Sequence, residues 1–439
     1  MVQLLVGHDF NEDLRNRNAA AWYSQRLTWF ARDGDVLVLP TEPDKAYVEY
    51  VTGWTGTSAE SLRFVVPPPG EGAIGRLTRE RLRDPEFLDR LRAAAEDRVI
   101  DHVYALWPDA RVVELADALG VGHAVPGRGF LSQGGDAVAN SKALFRVIAR
   151  GVGVPVAEGA VCLHPRAAEQ AVTALLDAGH PAMLKNEFMS GGWGNEIISR
   201  TPHIDPIGAR RLVVVADAIT LRDYLEEHWD KLTGDGRHSL VVERYHPDSS
   251  AAFAEFHVGD DGVRFGGQGQ LLSLPQAASV IPAPNVDAGR MAEIIDGGRR
   301  LGEAMRAIGY RGVLSADAIV TPAGEVLFTE YNGRSTGSTH LYGVVGEQVI
   351  GPGYAEDRFI VERIGTPPWS VTTFAEAVDR LAGTDLGYDR ASRRGVLFVH
   401  AFNPAANCVP YCVVAESMDA ATEVEQRLGE LFDFAPPIA

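Results

Sequence analysis

Apolar runs and helical stripes alternate from the start of the chain. VQLLVG (2–7) reads as a buried strand closed by glycine, and AAAWYSQRLTWFAR (19–32) carries apolar residues at helical spacing. DVLVLP (35–40) is a second short strand. FLDRLRAAAEDRV (87–99) is helical, HVYALWP (102–108) a strand and DARVVELADALGV (109–121) a helix, with FVVPPPGEG (64–72) a loop among them. Strands alternating with helices predict a parallel sheet covered on both faces, in a first domain over 1–138.

A second pattern begins at NSKALFRVIARGVGVPVAEGAV (140–161), a helix stopped by glycines that feeds a strand. HPRAAEQAVTALLDAG is a helix entered through His-Pro. PAMLKNEF and EIIS are strands around the loop SGGWGN, and the helix ITLRDYLEEHW precedes the strand SLVVERY. LPQAASVIPAPNVD (274–287) is proline-rich and predicts an exposed loop. The helix MAEIIDGGRRLGEAMRAIG leads into two strands, GVLSADAIV and EVLFTEYN. This unit is placed at 139–365, with a lid subdomain over about 141–246. GTPPWS breaks the chain before a small C-terminal αβ unit at 366–439, which holds two helices (FAEAVDRLAG, AATEVEQRLGELF) and two strands (VLFVHAF, YCVVAES). The predicted class is α/β (α+β).

Composition narrows the function. The 439 residues are 46% hydrophobic and 23% charged, which fits a globular protein with sizeable cores. A formal charge of -18 argues against a nucleic-acid partner, since such a partner calls for a basic face. The three cysteines, Cys162, Cys408 and Cys412, form neither a disulfide framework nor a CxxC pair. Reduced, packed thiols in a cytoplasmic protein are expected. MVQLLVGHDFNED does not read as a signal peptide, and no apolar run approaches membrane-spanning length.

The densest chemistry lies in VLFTEYNGRSTGSTH (326–340). GVLSADAIV and EVLFTEYN flank the short turn TPAG, which predicts a hairpin. With Ala323-Gly324 as a two-residue loop, Val320 faces Leu327 and Asp317 faces Glu330; Asn332 projects from the same face. Carboxylates directly opposed across two strands repel each other, so either one keeps its proton or a cation sits between them. Asp, Glu and Asn oxygens are the hard ligands that Mg2+ prefers. Arg334, two positions on, has the planar fork that clamps a carboxylate or acyl phosphate. Lysine is scarce: Lys45, Lys142, Lys185 and Lys231 are the four. Lys142 starts a helix and Lys185 ends a strand, positions from which a flexible cation reaches a phosphate. SGGWGN follows Lys185 and can present backbone N–H groups to an anion. LVVERY ends a strand in an acid, Glu243, with Asp248 just beyond.

A helix-start lysine, a strand lysine, a glycine loop, an acid at a strand end and then D…E-x-N-x-R resemble the ATP-grasp superfamily of carboxylate–amine ligases over roughly 140–345. The region before it resembles the pre-grasp domain. With its N-terminal domain and small C-terminal unit, the chain resembles the peptide ligases of pheganomycin-type antibiotic biosynthesis. The resemblance implies an ATP-grasp fold and two cofactors, ATP and Mg2+. It implies activation of an amino-acid-like carboxylate as an acyl phosphate and its joining to the N-terminal amine of a peptide. ADP and phosphate would be released, and a homodimer is a family-level expectation. By position, Lys142 and Lys185 would bind phosphates, with Gly191, Gly192 and Gly194 as a lid over them. Glu243 and the Arg244–Tyr245 backbone would hold adenine and Asp248 the ribose. Asp317, Glu330 and Asn332 would hold magnesium, and Arg334 would steady the acyl phosphate. Two departures stand out: the ribose acid is not at the commonest spacing, and Ser315 stands where an arginine is often found.

Two other classes compete. GRSTG (333–337) matches the G-x-S-x-G nucleophile elbow of serine hydrolases, with Ser335 as nucleophile and His400 downstream; that elbow needs a strand–turn–helix, and the hydrolase reading leaves Asp317 and Glu330 without a role. A non-catalytic nucleotide-binding protein is the third class. Trp22, Trp29, Tyr47 and Tyr50 are expected to pack in a core rather than line a pocket.

Overall fold

The computed structural model describes residues 2–8, 21–70, 75–96, 98–272, 278–363 and 367–435. The first sheet contains β1 (Val2–Val6), β2 (Val36–Val38), β3 (Arg63–Val65) and β4 (Ile100–Ala105), in the order β3-β2-β1-β4. Its strands are all parallel, as the alternating pattern predicted. Successive residues of β1 serve opposite faces. Leu4 and Val6 pack with Phe87, Leu91 and Val112 of the helices Pro85–Ala95 and Ala110–Ala118. Leu5 packs with Leu27 and Leu37 on the other face. Burial on both faces explains the unbroken apolar runs. Two details differ from expectation. Phe64 and Val65, expected in a loop, form β3. The helix expected over 19–32 is, in its described part, one α-turn at Ala21–Ser24 followed by the 3-10 helix Gln25–Phe30.

The second sheet holds β5 (Gly159–Cys162), β6 (Ala182–Asn186), β7 (Asn195–Ser199), β8 (Arg211–Val214) and β9 (Leu240–Arg244), in the order β5-β9-β6-β7-β8. Helices Pro165–Asp177 and Ala218–Thr233 cover one face of it. The first of these is entered as predicted: the His164 ring caps the backbone N–H of Ala167. β8 was not anticipated. Its residues are only partly buried, so they carry no clear alternation.

The third sheet has eight strands: β10 (Ser250–Val258), β11 (Val263–Leu272), β12 (Ala278–Ile281), β13 (Gly312–Val320), β14 (Val326–Asn332), β15 (Phe359–Arg363), β16 (Gly395–Phe398) and β17 (Tyr411–Ala415). Their order is β14-β13-β10-β11-β12-β15-β17-β16. Here the exposed loop predicted at 274–287 is overturned. Residues 278–281 form β12, fully buried and paired on both sides. The prolines that suggested a loop flank this strand without entering it; of the segment's first four residues, 274–277, nothing is described. Helix Ala288–Ala307 packs across the sheet so closely that a Cβ on Gly297 would meet the Phe328 ring at 2.4 Å, and one on Gly298 the Phe256 ring at 2.5 Å.

The C-terminal strands continue this third sheet, with β17 pairing β15. The boundary drawn at 365 falls on residues 364–366, outside those described. Trp29 and Tyr47 are fully buried against this C-terminal part, and both donate to the Val399 carbonyl, at 3.0 and 3.1 Å. The core-packing expectation for these two aromatics therefore holds. The three cysteines are unbridged and buried. Among the described residues, no helix is long and apolar enough to cross a membrane.

Candidate functional site

The hairpin β13–β14 builds the centre of the site. Its turn differs from expectation: Val320 faces Val326, and Ile319 faces Leu327. One extra residue, Thr329, then shifts the register, so Asp317 faces Glu330 as the sequence predicted. Without that bulge Asp317 would face its neighbour, whose side chain lies on the other sheet face. The Asn332 amide donates to Asp317 Oδ2 at 3.2 Å, and the Ser315 hydroxyl to Asp317 Oδ1 at 2.9 Å. Arg334 donates to Asn332 Oδ1 at 2.7 Å and lies 4.6 Å over the Trp107 ring, a cation–π contact.

Lys142 reaches this centre from the first position of helix Lys142–Gly151, capped by the Ser141 hydroxyl. Its Nζ lies 3.0 Å from Glu330 Oε2 and donates to the Met189 carbonyl at 2.5 Å. The approach depends on Gly333, whose N–H donates to the Ala139 carbonyl; a Cβ there would meet the Ala139 Cβ at 2.5 Å. The two acids settle into different states. Desolvation, and then the Glu330 charge, push the Asp317 carboxyl up toward its protonated form. Desolvation opposes ionisation of Glu330 as well, but Lys142 and Lys185 outweigh it and hold that carboxyl below its ordinary value. A proton shared unequally is the response expected of opposed carboxylates that a cation would otherwise hold together.

Lys185 ends β6. It pairs with Glu243 and donates to the Thr329 carbonyl at 3.3 Å. Glu243 is buried and also takes Arg146, so its carboxylate sits between two cations. The Arg244 N–H donates to the Glu158 carbonyl at 2.7 Å and the Tyr245 N–H to the Pro181 carbonyl at 2.8 Å. Asp248 is exposed on the turn after β9, in the left-handed region at φ 57°. The glycine loop joins β6 to β7. Gly191 and Gly192 have φ of 64° and 74°, and a Cβ on Gly194 would meet the Met189 Cβ at 2.6 Å. Met189, in the same loop, is the partner of Lys142. The structure thus gathers Asp317, Glu330, Asn332, Arg334 and Lys142 into one network, with Lys185 and Glu243 at its edge and Asp248 apart.

Sequence reasoning missed three residues. Arg146 lies one helical turn from Lys142, so the i,i+4 spacing was its signal. Glu187 accepts from Ser141 and from the Ser239 hydroxyl at 2.6 Å, tying helix, loop and β9 together. Glu255 stands fully buried in β10, opposite Ser315 on the same sheet face. It accepts from Thr336, from Thr339 at 2.8 Å and from Tyr342 at 2.9 Å. Of the four hydroxyls in STGSTH, those of Thr336 and Thr339 serve this acid, while Ser335 meets Tyr104 and Ser338 meets Ser279. The Ser335 hydroxyl lies 2.5 Å from that of Tyr104, whereas His400 pairs with Glu362, so no Ser–His pair forms.

Comparisons with known proteins agree with this architecture. A family model described as the Pre ATP-grasp domain matches residues 24–121, and one described as the PGM1 C-terminal domain matches residues 376–428. No curated protein sequence matches the chain. A biotin carboxylase from Campylobacter jejuni, solved as a β,γ-ATP complex, is 15% identical, with 99% of this chain and 92% of that one covered and a TM-score of 0.59. The ADP complex of a PurK N5-carboxyaminoimidazole ribonucleotide synthetase is 12% identical, with 98% and 96% covered and a TM-score of 0.58. The same synthetase from Thermus thermophilus is 19% identical, with 99% of both chains covered and a TM-score of 0.57. The chain therefore has the ATP-grasp fold, with a pre-ATP-grasp domain near its N-terminus.

Proposed function

We propose that the protein is an ATP-dependent carboxylate–amine ligase. In this reading it activates an amino-acid-like carboxylate and joins it to the N-terminal amine of a peptide, in antibiotic biosynthesis. The observation that carries the ligase reading is the convergence of Asp317, Glu330 and Asn332 with Lys142, Lys185 and Arg334. Three of these offer hard oxygens and three are cations, the complement of a magnesium nucleotide. The residues present fit that group. Two half-buried acids face each other, and one is pushed toward its protonated form. The fold supports the reading, because its structural neighbours were solved with ADP, ATP or MgADP.

Asp317, Glu330 and Asn332 would hold magnesium. Lys142 and Lys185 would bind phosphates under the Gly191, Gly192 and Gly194 loop. Glu243 with the Arg244–Tyr245 backbone would hold adenine, and Asp248 the ribose. Magnesium ATP, when bound, supplies the phosphoryl group that turns a poor electrophile into a mixed anhydride. The chain's part is positioning and charge. Arg334, steadied by Trp107 and Asn332, would offer guanidinium donors to an acyl phosphate. The loop that carries Met189 contacts Lys142 and would keep water from the activated carboxyl.

The test uses purified protein, magnesium ATP, and pools of amino acids and short peptides. ADP, phosphate and a new amide mass that depend on both pools, and that vanish in Glu330→Gln, are expected. AMP with pyrophosphate would overturn the acyl-phosphate route. ADP release that needs only bicarbonate would overturn the peptide substrate.

A further inference from the structure

A second polar cluster lies away from the β13–β14 acids, fully enclosed. His340 comes from the segment after β14, Glu362 from β15, and His400 from just beyond β16; their exposures are 0%, 1% and 0%. One side-chain donor atom from each lies within 4.8 Å of the other two. His400 Nε2 is 3.3 Å from Glu362 Oε1, and the two imidazoles meet edge to face at 5.1 Å. Nδ1 of His400 and Oε2 of Glu362 lack a hydrogen-bond partner among the described residues, and the His340 ring has the Val399 backbone beside it.

Buried polar atoms are nearly always satisfied, so unpartnered atoms in a cluster this deeply buried call for an explanation. A core histidine kept for packing finds partners for its nitrogens. Here one donor atom from each ring and from the acid lies within 4.8 Å of the other two. Two imidazoles and a carboxylate form the donor set of known zinc sites.

We propose that His340, Glu362 and His400 bind a divalent transition-metal ion, with zinc the best match. A magnesium ion seeks oxygen ligands, so imidazole donors select against it and for a later first-row metal. The neighbourhood agrees in shape. Tyr23 stacks on the His400 ring at 4.7 Å, and Trp22 and Trp29 flank the two imidazoles, making an aromatic wall. Arg26 is the opposing feature. It is buried beside the cluster, and its charge acts on all three groups. A bound cation must overcome that charge. The Glu362 carboxylate offsets it, and coordination by two imidazole nitrogens supplies the rest. The ion would join the end of β14, β15 and the chain after β16, under a cover of N-terminal aromatics. Three protein ligands leave water the fourth position of a tetrahedral ion.

The experiment takes the full chain without an affinity tag, passes it over chelating resin and counts metal by mass spectrometry. About one zinc per chain is expected. Less than about a tenth of that is expected in His400→Asn and Glu362→Gln, and in wild type a strong chelator should lower the melting temperature by several degrees. Should neither variant fold, zinc-edge absorption on wild type decides: two imidazoles and no sulfur support the assignment, and any other ligand set overturns it. A wild-type protein that holds no metal, and whose melting temperature moves with neither chelator nor added zinc or cobalt, overturns it. So does zinc that persists in both folded variants.

Discussion

Asp109 shows how much one side chain can fix. It caps helix Ala110–Ala118 by accepting from the Arg111 and Val112 N–H groups, holds the Arg111 guanidinium at 2.7 Å, and lies 3.1 Å from His8 Nε2. Burial opposes its ionisation, but His8 and Arg111 outweigh burial and hold the carboxyl well below its ordinary value. The folded chain therefore binds fewer protons here than the unfolded one, and the stabilisation is fully present above about pH 4. It declines as the pH falls through the folded value. Asp109→Asn keeps size and cap but loses the charge, and should cost about 1–3 kcal/mol at pH 7. Urea melts at pH 7 and pH 3 check this; a cost that stays constant between them would refute the ionic account. Glu255→Ala should also cost at least about 2 kcal/mol, because it strands the hydroxyls of Thr336, Thr339 and Tyr342 in a dry core. Equal denaturation midpoints for wild type and variant would show that those hydroxyls find other partners.

Elements were legible where their own pattern sufficed. Glu330 and Asn332 could be placed on one face because strand alternation is local, and Lys142 could be put at a helix start, where Ser141 caps it; Asp317 falls opposite Glu330 as expected only because a turn one residue shorter than expected and the Thr329 bulge offset each other. The Thr329 bulge was invisible, since a register shift depends on a partner strand. β12 was hidden because four buried residues between proline-bearing segments carry no period. Glu255 was passed over because an acid inside FAEFHV has no meaning until the hydroxyls of 336–342 fold onto it. The glycines of helix Ala288–Ala307 pose the same problem in reverse. By propensity alone, Gly298→Ala should stabilise the helix by about 1 kcal/mol. The added Cβ would stand 2.5 Å from the Phe256 ring and 3.1 Å from the Ala316 Cβ. Overpacking of this kind costs about 1–3 kcal/mol, so a net loss is expected. Guanidinium unfolding decides: a midpoint above wild type would mean that the sheet gives way to the helix.

Across the whole molecule, the C-terminal unit is expected to share its unfolding with the rest of the chain. Its strands extend the sheet that carries the candidate site, and its core is continuous with Trp29 and Tyr47 of the N-terminal region. One of the ties is ionic. Arg363 on β15 meets Glu425 on helix Met418–Phe432 through two hydrogen bonds, Nε to Oε1 at 2.7 Å and Nη2 to Oε2 at 3.1 Å, with Tyr411 adding a third contact to the acid. Both residues are buried, so desolvation cancels much of the Coulomb gain while the pair is intact. Breaking it is another matter, because the surviving charge stays in the core without its counterion. Glu425→Ala should therefore cost about 3–5 kcal/mol, and Arg363→Met with Glu425→Leu considerably less. Differential scanning calorimetry separates the outcomes. A single transition that moves down in Glu425→Ala and recovers in the double variant supports both the buried-charge account and one cooperative body. An early C-terminal transition followed by an unmoved main one would show instead that the unit melts by itself and that the shared sheet transmits little stability.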